Sequence, residues 1–428
     1  MRIILDGHIH SKYSRATSRE MDIQHIARFA RIKGLNVVGT GDFTHPGWFR
    51  ELRENLEPSV FEGLYEPKPP GKLENIYFMA STEVCTISEF EGKTRRIHHV
   101  IWAPSLETAE QVSEVLSKYG SLEADGRPTL NVSPPELVEA VTELSREVFI
   151  FPAHAWTPWF SLFGAFSGFD RLSDCYQDMA GRIHALETGL SSDPPMNWRV
   201  SELDRLAIIS NSDSHSYWPW RLGREANVLE VKEPSYKAIV EALKAGRAGG
   251  FLLTVETDPS YGKYHWTGHR ACGVSMPAKE ARRLGGICPV CGRRMTKGVE
   301  ERVEELADRP EGFKPPGKPG YIHLIPLSEI IATALGLENP QDRRVWNIYE
   351  GLVSRFGSEF NVLLDAAYEE VERLAGREVA SLLQAVREDR VEIKPGYDGV
   401  YGKLVFREAE KVRGEVKAEV KGTLEDFF

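Results

Sequence analysis

The stretch Ile3-Ile4-Leu5-Asp6-Gly7-His8-Ile9-His10 decides the fold and the chemistry expected of this chain. Its first three residues are apolar and are typical of a short buried strand. His8 and His10 follow at the carboxyl end of that strand, where side chains two positions apart point to the same face. Two imidazoles directed at one point are donors that a metal ion needs. Taken alone, the pair is equally compatible with two polar loop histidines, because short motifs often match by chance.

The same arrangement recurs along the first half of the chain. Apolar runs at 35–40, 76–79, 148–152 and 206–210 lead respectively to Asp42 with His45, to Glu83, to His154, and to Asp213 with His215. A further run at 96–102 carries His98 and His99 within it. Helical patterns at 21–33, 106–119 and 134–145 separate these runs and indicate βαβ units with a parallel sheet. Because active sites gather at the carboxyl ends of such strands, the pattern predicts a multinuclear metal site.

These residues, taken in order, resemble the polymerase-and-histidinol-phosphatase (PHP) superfamily. The resemblance implies a distorted (β/α)7 barrel, an α/β fold that binds up to three metal ions and hydrolyses phosphoesters. It implies a first metal held by His8, His10, Glu83 and Asp213, and a second held by His98, His154 and a bridging Glu83. A third would use His215 with Asp42 or His45. The choice of His98 rests on the resemblance, because strand parity alone leaves His98 and His99 open.

The donor set constrains the reaction. We expect two or three divalent cations (zinc, manganese or magnesium), which would make a bound water acidic and stabilise a phosphoryl displacement. Glu83 and Asp213 are expected to be catalytic as well as ligating. Asp193 lies between an apolar run and two prolines, where an aspartate commonly opens a turn. We interpret Asp193 instead as a catalytic carboxylate at another strand end, a position that suits chemistry.

A second metal site is predicted further along the chain. His269 and Cys272 form an H-x-x-C pair, and Cys288 and Cys291 form a C-x-x-C pair after fifteen intervening residues. This spacing is typical of a four-ligand structural zinc ribbon, with His265 as an alternative ligand or a polar neighbour. Residues 269–297 carry seven Lys or Arg against one Glu, although the whole chain has a formal net charge of −10. The local excess suits contact with a phosphate backbone, or else it is a solvated basic face.

The chain is long enough for several domains. We expect a metal-dependent phosphoesterase barrel at 1–252, a zinc-binding DNA-contact domain at 253–320 and a mainly helical domain at 321–420. No secretory signal and no apolar run of membrane length is apparent, and the five cysteines are too few for a disulfide framework. We therefore expect a cytoplasmic protein with no membrane partner.

The last eight residues, 421–428, resemble the box through which repair and replication proteins dock on the sliding clamp. Leu424, Phe427 and Phe428 would form an apolar plug on one helical turn. Lys421 stands where that box begins with Gln. The alternative is a tail that folds back onto its own core.

The whole combination resembles the endonuclease Q family. That resemblance rests on Gly39-Thr40-Gly41-Asp42-Phe43-Thr44-His45, on Asn211-Ser212-Asp213-Ser214-His215, on Leu222-Gly223-Arg224-Glu225-Ala226-Asn227, on the zinc ribbon and on the tail. It implies an endonuclease that nicks double- or single-stranded DNA 5′ to uracil, hypoxanthine, xanthine or an abasic site, with the base flipped out of the stack. Two alternatives remain open, a small-molecule phosphatase of the histidinol-phosphatase kind and a non-catalytic DNA-binding scaffold associated with the clamp.

Deleting residues 421–428 should abolish binding to the sliding clamp, because the apolar plug is lost, while cleavage of free DNA is spared. Surface plasmon resonance on immobilised clamp, paired with a nicking assay on free duplex, measures both. Clamp binding that survives the deletion would contradict the assignment of the tail.

Overall fold

The computed structural model describes residues 1–69 and 71–405. The clamp-binding residues expected at 421–428 therefore lie outside the described residues. The strands are β1 (Arg2–Asp6), β2 (Val37–Gly39), β3 (Leu56–Pro58), β4 (Tyr65–Pro67), β5 (Tyr77–Met79), β6 (Ser81–Phe90), β7 (Lys93–Trp102), β8 (Thr129–Leu130), β9 (Phe149–Pro152), β10 (Ala185–Glu187), β11 (Ala207–Ile209), β12 (Ala226–Glu230), β13 (Phe251–Glu256), β14 (Thr267–His269), β15 (Val274–Met276), β16 (Gly320–His323), β17 (Glu392–Lys394) and β18 (Lys403–Val405).

The α-helices alternate with the strands in the first half of the chain and dominate after β16. They are α1 (Ile23–Lys33), α2 (Pro46–Asn55), α3 (Leu106–Leu116), α4 (Pro134–Leu144), α5 (Leu172–Tyr176), α6 (Pro194–Trp198), α7 (Tyr236–Ala245), α8 (Ala278–Arg283), α9 (Val299–Leu306), α10 (Leu327–Ala334), α11 (Arg343–Phe356), α12 (Glu359–Leu364), α13 (Tyr368–Ala375) and α14 (Arg377–Arg387). The predicted mixed α/β fold with a helical C-terminal region is confirmed.

The strands pair in a mixed rather than a wholly parallel way. An eight-stranded sheet has the order β16-β13-β12-β1-β2-β5-β4-β3, a four-stranded sheet has the order β8-β6-β7-β9, and β10 pairs in parallel with β11. Only part of the large sheet is parallel, because β12 runs antiparallel to β1. A side chain connects the large sheet to the β10–β11 pair. Asn227 of β12 accepts from the backbone N–H of Ser210, the residue after β11, at 3.0 Å and donates to the Ser210 carbonyl at 2.6 Å.

The core explains why the His8/His10 strand end is rigid. Strands β1, β2, β5, β7 and β9 all contribute side chains to an apolar cluster that contains the fully buried Trp102. The Trp102 indole donates to the Gly7 carbonyl at 2.9 Å. A Cβ at residue 7 would lie 2.2 Å from the Trp102 ring, so only glycine allows the turn to pack this closely. The turn that follows β1 therefore sits directly on the core.

The zinc-ligand segment is an insertion in the large sheet. Strands β13 and β16 pair in parallel, and residues 257–319 leave the sheet between them. The short hairpin of β14 and β15 and the helices α8 and α9 lie in this excursion. The segment expected at 253–320 therefore begins within β13 and ends on the first residue of β16, and both strands belong to the main sheet.

The helical C-terminal region docks on the α/β part through a buried ion pair. Lys33, at the end of α1, contacts Glu359 of α12 at 2.8 Å, and both side chains are almost completely buried. Glu359 also accepts from the Tyr349 hydroxyl at 2.7 Å and from the Leu327 backbone N–H at 3.0 Å. Every polar group of this contact is paired, as burial requires. Within the described residues, no helix combines the length and apolarity needed to cross a bilayer.

Replacing Lys33 with Met should lower the free energy of unfolding by about 3–5 kcal/mol, because Glu359 would keep its buried charge without a cationic partner. Thermal and urea unfolding of the full chain measure the loss. Arg53→Ala is the matched control, since Arg53 and Glu110 form an exposed pair at 2.7 Å that contributes about 1 kcal/mol or less. Equal effects of the two substitutions would contradict this view of the docking contact.

Candidate metal centre

Glu83, a fully buried carboxylate on β6, lies at the centre of the site. Its Oε1 is 2.9 Å from His98 Nδ1 and 3.1 Å from His154 Nε2. Its Oε2 is 3.2 Å from His10 Nε2 and 3.1 Å from Arg127 Nη1. Burial would raise the pKa of Glu83, but the surrounding imidazoles and the guanidinium hold it well below its usual range. Glu83 is therefore a carboxylate shared by two groups of histidines.

The first group joins His8, His10, Glu83 and Asp213. One ligating atom from each lies within 4.8 Å of every other, and His10 Nε2 approaches Asp213 Oδ1 at 3.0 Å. His8 Nε2, His10 Nε2 and Asp213 Oδ1 are buried yet make no hydrogen bond. Buried polar atoms are normally paired, so three unpaired atoms that converge on one point fit the binding of a cation. The donor set of two imidazoles and two carboxylates suits zinc or manganese.

The opposite nitrogens of these two rings are held by carboxylates. His8 Nδ1 lies 3.0 Å from both oxygens of Glu187, and His10 Nδ1 lies 2.9 Å from Asp42 Oδ1. Such carboxylate–histidine pairs fix the tautomer and the orientation of rings that ligate metals. The Nε2 atoms are thereby directed at Glu83 and Asp213.

The second group consists of Glu83, His98 and His154. His98 lies on β7 beside Glu83, whereas His99 points to the other face of the strand and contacts Thr86 and the Tyr176 hydroxyl at 3.1 and 3.0 Å. The choice that strand parity left open is thus resolved in the geometry. His98 and not His99 adjoins the carboxylate.

Asp42, His45 and His215 do not form a third group. Asp42 is engaged by His10 and by the Ser11 backbone N–H at 2.6 Å, while His45 caps α2. The His215 ring stacks on His10 with 4.4 Å between centroids, and its Nε2 is 3.9 Å from Asp213 Oδ1. Within residues 1–69 and 71–405, none of these three side chains belongs to a set of converging ligating atoms.

The backbone around the site is strained. Asp42, His154 and Asp213 have φ values of 46°, 30° and 48°, in the left-handed region that residues with a Cβ seldom adopt. Each such residue costs on the order of 1–3 kcal/mol and persists only where the surrounding structure enforces it. Strain at three strand-end residues of one cluster is typical of a functional site.

Asp193 lies outside both groups. It caps α6 by accepting from the Met196 backbone N–H at 3.0 Å, and its other oxygen is 3.2 Å from His323 Nε2. Burial would lower the pKa of His323, but the hydrogen bonds that its ring donates to the Asp193 and Asp389 carboxylates raise the pKa to about 10. Asp193 therefore pairs with a charged imidazole of β16.

Sequence reasoning missed two residues of the site. Glu187 ends β10 after an apolar run, so the strand-end pattern that identified the other ligands could have found it. Arg127 lies in the loop before β8, which has no histidine, no apolar periodicity and no recognisable motif. Only the folded chain brings its guanidinium to Glu83.

The four zinc-ligand candidates converge near the surface of the insertion. His269, Cys272, Cys288 and Cys291 each offer a ligating atom within 4.8 Å of the others. Burial would raise the pKa of Cys288, but the backbone N–H groups of Cys291 and Val290 lower it to about 6. A thiolate at neutral pH is the form that binds zinc. His265 lies outside this group, and none of the five cysteines forms a disulfide.

Aromatic side chains divide between the core and the surface beside the site. Trp156 and Phe163 are buried, and Trp218 and Trp220 pack on Trp346 of α11. In the segment 156–166, Trp159, Phe160 and Phe166 are exposed. The rings of Trp159 and Phe166 stack 4.8 Å apart, and the Phe160 ring lies 5.2 Å from that of His98. Phe160 thus adjoins the candidate metal centre, and the stacked pair of Trp159 and Phe166 lies on the same segment.

Buried imidazoles and carboxylates that converge at strand ends of an α/β fold define a phosphoesterase-like metal centre. The family described as the MJ0043 C-terminal domain matches residues 326–390. The crystal structure of the lesion-specific endonuclease PfuEndoQ from Pyrococcus furiosus is 36% identical, with a TM-score of 0.85 and coverage of 97% of this chain and 98% of that one. Endonuclease Q bound to a 27-mer duplex with an abasic lesion at its active site is 35% identical, with a TM-score of 0.84 and coverage of 97% and 99%.

Protein MJ0043 of Methanocaldococcus jannaschii is 35% identical over 259 residues, which are 59% of this chain and 32% of that protein. The chain thus spans about a third of the length of this relative. The match to the endonuclease Q structures, by contrast, extends over nearly the whole of both chains. The chain belongs to the endonuclease Q family of DNA repair endonucleases.

Metal-free protein should lose stability as the pH falls below about 6.5, because burial lowers the pKa of His99 to about 3. As the pH falls below about 6.5, His99 of the unfolded chain binds a proton, whereas His99 of the folded chain stays neutral. Each further pH unit therefore lowers the free energy of unfolding by about 1.4 kcal/mol, down to about pH 3. Above pH 6.5 this contribution is constant. Urea unfolding of wild type and His99→Gln between pH 4 and 8 measures it, and parallel curves for the two proteins would contradict the assignment.

Proposed function

We propose that this endonuclease cleaves the DNA phosphodiester 5′ to deaminated bases (uracil, hypoxanthine, xanthine) and to abasic sites. The observation that carries the proposal is the pair of ligand groups that share Glu83. An endonuclease Q structure of the same fold, with an abasic lesion at its active site, supports the lesion class. A damaged base is cheaper to unstack than a paired one, which favours extrusion at the lesion.

Two divalent cations fit the residues of the centre. His8, His10, Glu83 and Asp213 would hold one, and Glu83, His98 and His154 would hold the other. When bound, such ions supply an activated water and neutralise charge on the phosphate. Glu187 and Asp42 orient His8 and His10. A third ion held by His215 would require ligands other than Asp42 and His45 in their present positions. We propose zinc, manganese or magnesium as the ions.

The surface around the centre suits DNA. Beside the proposed zinc site of the insertion, six of the seven basic residues are exposed, and these are Arg270, Lys279, Arg282, Arg283, Arg293 and Arg294. Lys297 pairs instead with Glu305. Exposed cations on an otherwise acidic chain provide contacts for a phosphate backbone. We assign Trp159, Phe160 and Phe166 the role of stacking on bases beside the lesion, since every base offers a π face.

Other assignments complete this proposal. We assign the α/β part to a distorted (β/α)7 PHP-type barrel, in which the Asn227–Ser210 hydrogen bonds join β12 to the end of β11. The zinc ribbon is inserted between β13 and β16, and the helical region follows. The unpaired cysteines suit a reducing compartment, which supports a cytoplasmic location. Docking of residues 421–428 on the sliding clamp would bring the enzyme to newly copied DNA.

The experiment uses end-labelled duplexes and single strands with one uracil, hypoxanthine, xanthine or abasic site, incubated with manganese, magnesium or zinc. We expect one nick 5′ to each lesion and none in undamaged DNA. Glu83→Gln should lower cleavage by more than about 100-fold, since even outer residues of metal sites cost 10–100-fold. We propose Asp193 as a catalytic carboxylate, so Asp193→Asn, which keeps a good helix cap but removes the charge that faces His323, should fold and lose cleavage. An active variant would reject this role.

A chromogenic phosphomonoester in the same incubations distinguishes the alternatives. Turnover of the monoester without any nick would favour a small-molecule phosphatase. DNA binding without either reaction would favour a non-catalytic scaffold. Either result would overturn the proposal.

A further inference from the structure

Arg127 is the one guanidinium that reaches the metal centre among the described residues. Its Nη1 lies 3.1 Å from Glu83 Oε2, and its side chain is 27% exposed although Glu83 is fully buried. The Arg127 head group therefore stands between the buried ligands and the solvent. Its guanidinium makes no other hydrogen bond to the described residues. Several of its five N–H donors remain available for an anion.

The loop that carries Arg127 is built to hold it in place. Gly126 donates its N–H to the Tyr13 carbonyl at 3.1 Å, and a Cβ at this position would lie 2.4 Å from Asp42 Oδ2 and from Ser14 Oγ. Asp125 accepts from the backbone N–H of Arg127 at 3.2 Å. The next residue, Pro128, accepts from the Cys85 backbone N–H at 2.9 Å. The loop is thus fixed both to the strand of Glu83 and to the residues behind His10.

The ion pair between Arg127 and Glu83 would be weakened in the metal-loaded enzyme. Glu83 belongs to both ligand groups, and a carboxylate that ligates metal cations attracts a guanidinium less strongly. A cation held beside the same carboxylate would also repel Arg127. The exposed part of the Arg127 side chain makes its guanidinium accessible from solvent, beside the buried Glu83. Arginine's planar fork matches a phosphate better than any other side chain does.

We propose that Arg127 binds the scissile phosphate of the DNA, leaving Glu83 to the metal ions. This inference rests on the proposed function, because it names the group that receives the substrate of that same site. Arg127 stabilises the charge on the non-bridging oxygens and positions the phosphorus over the two ligand groups. A preorganised donor of this kind contributes about 10²–10³-fold to a rate.

The test compares Arg127→Ala, Arg127→Lys and Arg15→Ala in the full chain loaded with manganese. Arg15 is the matched control, because it pairs with Asp125 of the same loop at 3.2 Å while its side chain is 83% exposed. Under single-turnover conditions on duplex with one lesion, we expect Arg127→Ala to be slower by about 100-fold. Arg127→Lys, which keeps the charge without the fork, should show a smaller loss. Arg15→Ala should stay within about twofold of wild type.

Three readouts separate phosphate binding from mere support of Glu83. Bound manganese per chain, measured by mass spectrometry, should be unchanged in Arg127→Ala. Added guanidinium ion should restore part of its rate and leave Arg15→Ala unaffected. The affinity of the loaded protein for inorganic phosphate, measured by calorimetry, should fall at least tenfold in Arg127→Ala.

Loss of manganese in parallel with the rate would overturn the inference and make Arg127 a positioning residue for Glu83. An unchanged rate in Arg127→Ala, or the absence of rescue by guanidinium, would overturn it too. A wild-type protein that cleaves no lesion would instead reject the proposed function, and the phosphate affinities would then decide the role of Arg127 by themselves.

Discussion

One buried carboxylate organises this molecule. Glu83 is inaccessible to solvent, and His8, His10, His98, His154 and Arg127 all direct a nitrogen at it. A buried charge without partners would cost several kcal/mol, so the chain must bring cationic or polar groups from many segments to this one point. The ends of several strands, the turn after β1 and the loop before β8 are all arranged to meet that requirement. The same arrangement creates two sets of donors that share Glu83.

The surrounding residues give this cluster its rigidity. Glu187 and Asp42 hold the far nitrogens of His8 and His10, and Trp102 supports the turn after β1 that leads to these two histidines. Three residues of the cluster, Asp42, His154 and Asp213, adopt left-handed backbone conformations. Such strain is tolerated because the neighbouring packing and hydrogen bonds leave no alternative. The result is a centre whose donors are oriented before any substrate arrives.

Much of the fold was accessible to sequence reasoning, because hydrophobic periodicity is local. The helices predicted at 21–33, 106–119 and 134–145 are observed as α1, α3 and α4, with ends shifted by a few residues. In the region 321–420, which was expected to be mainly helical, the helices α12 and α13 are separated at Asp365 to Ala367. The prediction of a parallel sheet was too general. Strands β6 and β7 form an antiparallel hairpin, which needs no crossover helix, and β9 pairs antiparallel with β7. Pairing partners depend on distant segments, which periodicity does not encode.

The sequence by itself determined which side chains could bind metal and that they follow buried strands. The H-x-H pair, Glu83, His154, Asp213 and the four zinc-ligand candidates are all visible as residue types at specific spacings. Tertiary structure alone decided that His98 rather than His99 meets Glu83, that Asp42 supports His10, and that Asp193 pairs with His323. It also brought Arg127 to a carboxylate 44 positions away. Ligand identity is a property of residue chemistry, whereas the direction of a side chain depends on register and packing between segments far apart in the chain.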